Sequence, residues 1–121
     1  MKKVLIIEDD TFLQGLVSRK LKSESYDVMI ASDSDDAFAV LEKGIPDMIL
    51  LDLLLPKIDG FEILTKIRQD PKFKAIPVIV FSNLSEDTDI KRAQDLGINA
   101  FMIKSNFTLD ELSERIKGLL G

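Results

Sequence analysis

The chain reads as an α/β protein, with five βα units folded into an open, doubly wound parallel sheet. Three observations lead there. Short apolar runs recur five times along 121 residues. A longer amphipathic stretch follows each run, and the polar residues of the runs collect at their C-terminal ends.

The runs are "KVLIIE" (3–8), "DVMIA" (27–31), "DMILLD" (47–52), "PVIVFS" (77–82) and "AFMIK" (100–104). Each has strand length and is rich in Val and Ile or other apolar residues. Unbroken apolar character suits strands covered on both faces, as in a parallel sheet. Helical spacing marks the intervening stretches. Leu13, Leu16, Val17 and Leu21 make the stripe in 11–24, and Ala37, Val40 and Leu41 make it in 34–43. Ile63, Leu64 and Ile67 do so in 60–69, and Ile90, Ala93 and Leu96 in 86–96. In 108–120 the stripe is Leu109, Leu112, Ile116 and Leu119, opened by "TLDE", where Thr108 and Glu111 form a capping box. Gly44, Pro71, Pro77 and Gly97 punctuate the boundaries. Right-handed crossovers place helices on both sides of such a sheet.

Composition narrows the function. With 45% hydrophobic and 31% charged residues, the chain is an ordinary globular domain. It has no Cys and no His, which excludes disulfide scaffolds, zinc-thiolate sites, cysteine nucleophiles, Ser-His-Asp chemistry and a phosphohistidine on this chain. The net charge of −5 argues against sequence-independent nucleic acid binding. The apolar run Val4 to Ile7 is too short for a signal peptide or a membrane span, so the expectation is a cytoplasmic protein.

The functional edge of an open α/β sheet lies at the carboxyl ends of its strands. Glu8, Asp9 and Asp10 follow the first run, Asp52 ends the third, Ser82 the fourth and Lys104 the fifth. Taken singly, these have plain structural readings. Acids favour a helix N-terminus, Asp10 or Thr11 can cap the first helix, a lone Ser is a cap and a lone Lys a solvated charge. Asp52 is harder to dismiss, because "ILLDLLLP" sets one carboxylate among seven apolar residues and an unpartnered buried charge is costly. Converging carboxylates repel one another unless a hard divalent cation or an ammonium relieves them. Acids, a metal, a lysine and a hydroxyl suit a phosphoryl group, and Asp52 is the candidate nucleophile for an acyl phosphate.

In these residues the chain resembles the receiver domain of two-component response regulators, the chemotaxis-regulator-like fold, over essentially its whole length. "VLIIEDD", "DMILLDLLLPKIDGFEIL", "IPVIVFSN" and "GINAFMIKS" carry the resemblance in order and spacing. It implies a flavodoxin-like sheet of strand order 2-1-3-4-5. It implies Mg2+ held by Glu8, Asp9, Asp52 and the backbone carbonyl of Leu54. It implies Asp52 as phosphoacceptor from a sensor histidine kinase or histidine phosphotransfer protein, Lys104 as the phosphoryl's partner, and Ser82 and Phe101 as switch residues. A downstream protein target would read the face made by the fourth helix, fifth strand and fifth helix, through which receivers often form homodimers on phosphorylation. Residues 1–121 are expected to be one receiver domain without an output domain, binding neither nucleic acid nor membrane and turning over no external substrate.

Two departures stand out. Ser105 follows Lys104 where the family usually has Pro, often after a cis bond. A cis bond before Ser costs roughly 2.5–4 kcal/mol, so the family geometry is not carried over to 104–107. Phe101 replaces the frequent Tyr and lacks its hydroxyl. The positions that tune hydrolysis of the acyl phosphate are Leu54 and Leu84, neither able to orient water, so slow autodephosphorylation is expected. Of three rival readings, a flavin carrier would meet repulsion between Glu8, Asp9, Asp10 and the flavin phosphate. A phosphohydrolase resembling the haloacid dehalogenase family lacks its second Asp at Leu54. A pseudo-receiver that binds proteins without phosphate is the alternative that Ser105 keeps open.

Overall fold

The computed structural model describes residues 1–120. Five parallel strands form one sheet in the order β2-β1-β3-β4-β5, as the resemblance implied. They are β1 (Lys3–Ile7), β2 (Asp27–Ala31), β3 (Met48–Leu51), β4 (Val78–Ser82) and β5 (Ala100–Ile103). The helices are α1 (Thr11–Ser23), α2 (Ser34–Lys43), α3 (Gly60–Gln69), α4 (Asp87–Leu96) and α5 (Leu109–Leu120).

Alternation along the strands builds two cores from one sheet. Leu5, Ile7, Ile49, Leu51, Val78 and Val80 face α2, α3 and α4, meeting Ala37, Leu41, Ile63, Leu64, Ile67 and Ala93. Val4, Ile6, Met48, Leu50, Ile79, Phe81 and Met102 face α1 and α5, meeting Val17, Leu21, Leu112 and Ile116. The central strands β3 and β4 are buried along their whole length, as their sequences foretold. The outer strands differ: β2 leaves Asp27 and Ile30 exposed and β5 is half-buried. An edge strand has only one neighbour, and composition does not reveal which strand ends the row.

The helix signals convert into defined caps. Asp10 accepts from Phe12 N–H and Leu13 N–H at 3.0 and 3.1 Å, so Asp10 rather than Thr11 is the first cap. The capping box closes both ways, Thr108 N–H to Glu111 and Glu111 N–H to Thr108, each at 3.1 Å. On α1 the inward face differs from the stripe read in sequence. Leu16 is half-buried, while Gln14 and Ser18 are buried beside Val17 and Leu21. The turns after α3 add Phe73 and Ile76 to the core, and Arg68 secures them by donating to the Lys74, Ile76 and Gly97 carbonyls.

Gly60 opens α3 where the helix meets the end of β3. Its N–H donates to the Leu53 carbonyl at 3.0 Å. A Cβ there would lie 2.5 Å from both the Asp52 carbonyl oxygen and Leu53 Cα, which are backbone atoms that cannot swing aside. Gly60→Ala should therefore destabilise the fold by about 1–3 kcal/mol, the range for overpacking a closed site. A urea midpoint unchanged from wild type would show that the β3–α3 connection yields freely.

Candidate functional site

The strand ends meet as one cluster. Asp52 follows β3 directly, its N–H still continuing the ladder to the Ile7 carbonyl at 3.0 Å. That bond and the apolar run before it fix where the carboxylate emerges, and only 4% of the residue is exposed. Its Oδ1 accepts from Ser82 Oγ at 2.7 Å and Leu54 N–H at 3.1 Å. Its Oδ2 accepts from Lys104 Nζ at 2.8 Å. Ser82 ends β4 fully buried, and its Oγ also lies 3.4 Å from Leu84 N–H as an acceptor.

Lys104 bridges two acids, reaching Glu8 Oε1 at 2.5 Å as well as Asp52. It sits at the head of a one-turn 3-10 helix, Lys104–Asn106, that the sequence did not foretell. The described residues contain no cis peptide bond, so Ser105 is accommodated in trans and the ammonium still reaches the cluster.

Glu8 continues β1 into the site, its N–H bonded to the Ala31 carbonyl at 3.0 Å. Burial pushes its carboxyl up to about 7, against the lowering effect of Lys104 and Asp10 N–H, and the Asp52 charge adds to the rise. For Lys104, burial opposes the charge, but the bonds to Asp52 and Glu8 outweigh it and hold the ammonium above the ordinary lysine value. Asp9 is exposed beside these groups. Glu8, Asp9 and Asp52 each bring a carboxylate oxygen within 4.8 Å of the others. Three oxygen donors and no nitrogen or sulfur donor fit a hard divalent cation. Asp9 is the solvent-exposed member of the set, with Glu8 and Asp52 buried behind it.

The remaining residues singled out in sequence lie around this centre. Leu54 is 51% exposed, and its N–H is already committed to Asp52. Leu84 and Phe101 are half-buried and pack on the α2–α3–α4 core. Asp10 belongs to the helix cap and its N–H donates to Glu8 Oε2 at 3.1 Å. Sequence reasoning missed two contributors. Buried Gln14 donates from Nε2 to the Glu8 carbonyl and to Ser32 Oγ. Lys57, at a left-handed φ of +66°, ties the loop after Asp52 to Asp33 and Asp35 at the start of α2. A glutamine on a helix carries no sequence signal for its partner, although a polar residue one turn before buried Val17 was a hint.

The family model of the response regulator receiver domain matches residues 4–117. The chain belongs to the response regulator receiver family. It is 36% identical over 120 residues to the DNA-binding dual master transcriptional regulator RpaA of Synechocystis, covering 99% of this chain and 49% of that protein. The chain thus spans about half the length of the curated relatives it matches. Among solved structures, the phosphorylated cyanobacterial phytochrome response regulator RcpA is 35% identical with a TM-score of 0.84, covering 98% of this chain and 90% of that one. The Mn2+-bound form of response regulator Rcp1 is 33% identical with the same TM-score, covering 98% and 91%. No helix among the described residues of this receiver is long and apolar enough to cross a membrane.

The raised Glu8 carboxyl gives a pH dependence with a defined sign. The folded state keeps the Glu8 proton up to about 7, whereas the unfolded chain releases it near 4.5. Folding therefore binds a proton in that window, and the contribution is full below 4.5 and lost as pH rises through 7. Metal-free wild type should lose stability between pH 4.5 and 7.5 relative to Glu8→Gln, in which the slope is flatter. Urea midpoints of both proteins at several pH values test this, and parallel curves would refute it.

Proposed function

We propose that this receiver is a phosphorylation-activated switch that takes a phosphoryl group on Asp52 in the presence of Mg2+. The carrying observation is that Lys104 Nζ and Ser82 Oγ both hold the Asp52 carboxylate, with Glu8 and Asp9 beside it. The donor is a phosphohistidine on a sensor kinase or histidine phosphotransfer protein, because this chain has no His of its own. An Asp52 oxygen attacks phosphorus, the P–N bond breaks, the imidazole leaves with a proton taken from solvent, and an acyl phosphate remains. Glu8, Asp9, Asp52 and the Leu54 carbonyl would hold Mg2+, which would supply positive charge for the phosphoryl oxygens. The Mn2+ in the structure of Rcp1 and the phosphorylated state of RcpA support this reading.

The chain's own groups then rearrange. The phosphoryl group adds ≈ 1.5 to 2 negative charges to an acidic site. Lys104 transfers its bond from Asp52 Oδ2 to a phosphoryl oxygen, and Ser82 Oγ turns from Oδ1 to another. Leu84 N–H, now facing Ser82 Oγ, follows with the 83–88 segment, and Phe101 turns inward beside α4. This is a two-state element biased by local charge, read by a downstream protein on the α4–β5–α5 face. No external substrate is turned over. The domain acts in the cytoplasm, where a kinase can reach it.

Intact mass after incubation with acetyl phosphate decides between this and a pseudo-receiver. Wild type should gain one phosphoryl group only with Mg2+, and Asp52→Asn should gain none. An adduct on Asp52→Asn would overturn the assignment. No adduct on wild type, with acetyl phosphate and with phosphorylated histidine donors alike, would establish the pseudo-receiver.

Leu54 and Leu84 offer no side-chain group to orient a hydrolytic water, so the acyl phosphate should be long-lived. Leu54→Asn, Leu84→Glu should lose phosphate faster than wild type, by roughly a hundredfold, the lower end of the range for a positioned general base. Equal or slower loss from the double variant would refute that role.

A further inference from the structure

Glu8 and Asp9 are consecutive residues, so a single peptide unit joins two of the three carboxylates. Its carbonyl is the Glu8 oxygen. That oxygen lies just past the end of β1, where the ladder to β3 stops: Asp52 N–H reaches the Ile7 carbonyl, and the Glu8 carbonyl lies one residue beyond the paired register. The residue is only 4% exposed, so water does not readily replace a partner. Buried Gln14, one turn into α1, fills the gap with its Nε2. The same nitrogen donates to Ser32 Oγ at 3.0 Å. Ser32 follows Ala31, whose carbonyl accepts from Glu8 N–H at 3.0 Å. Both sides of the Glu8 backbone are therefore held, one by the β2 end and the other by a side chain anchored there.

We propose that Gln14 is a positioning residue for divalent-cation binding, fixing the plane of the Glu8–Asp9 peptide so that both carboxylates face the site together. The proposal rests on the reading of Glu8, Asp9 and Asp52 as a metal site. Rotation of that peptide swings Asp9 relative to Glu8, and Asp9 is the exposed member with no other restraint from β1. Groups that orient metal ligands commonly change affinity by about 10–100-fold when removed. Gln14→Met keeps the length and apolar stem and deletes both donor bonds.

Calorimetric titration of the whole chain with Mn2+ tests this on wild type, Gln14→Met, Asp9→Asn and Ile116→Val. Ile116 lies in the α1–α5 core outside the acidic cluster and controls for simple destabilisation. Expected results are measurable wild-type binding, a loss of about tenfold in Gln14→Met, near abolition in Asp9→Asn and no change in Ile116→Val. The amide resonance of Asp9, which belongs to the same peptide, should shift in metal-free Gln14→Met. Wild-type binding retained within twofold by Gln14→Met would overturn the role of Gln14 alone. Absence of binding by wild type would overturn the metal reading itself. Should Gln14→Met fail to fold, Ser32→Ala removes only the anchor of the Gln14 amide. A several-fold weaker affinity then supports the proposal, and unchanged affinity overturns it.

Discussion

The buried Asp52 carboxylate is the constraint around which this domain is arranged. A charge that is 4% exposed needs partners, and its three come from three places in the chain. Ser82 arrives at the end of β4, Lys104 just after β5, and Leu54 N–H from the loop that follows Asp52 itself. Removing one member of a buried pair commonly costs 3–5 kcal/mol, because the other is left uncompensated. The strand order is what allows these partners to converge: β4 is next to β3, β5 is next to β4, and all run parallel.

The same arrangement stores the means of change. Lys104 is shared between Asp52 and Glu8, so one ammonium faces more than one carboxylate. Burial raises the Glu8 carboxyl to about 7 even though Lys104 acts to lower it, and the Asp52 charge adds to the rise. Every Asp52 contact is a donor that a phosphoryl oxygen could accept in its place. Under the proposed phosphorylation, such a group would redirect bonds that already exist, which suits a switch between two arrangements of a closely filled interior.

Support for the site comes from backbone placements. Gly60 lets α3 start against the Asp52–Leu53 backbone, where no Cβ fits. Lys57 ties the loop after Asp52 to the acids that open α2. Gln14 holds the peptide between Glu8 and Asp9. Each acts at one remove from the carboxylates and sits on a different element.

The sequence by itself determined the parallel α/β sheet, its two-sided core and the identities of Glu8, Asp9, Asp52, Ser82 and Lys104. It could do so because local periodicity and strand-end position are properties of short segments. Val78 to Phe81 needed no partner to be read as buried strand, and Asp52 was conspicuous against its apolar neighbours. Tertiary structure alone decided that Lys104 reaches Asp52 with a trans bond before Ser105, in a 3-10 turn. It also decided how far β2 and β5 are exposed at the edges, that Gln14 rather than Leu16 turns inward, and that Phe73 and Ile76 complete the core. These depend on which distant segment lies opposite, and a residue's own sequence neighbourhood does not encode its partner across the sheet.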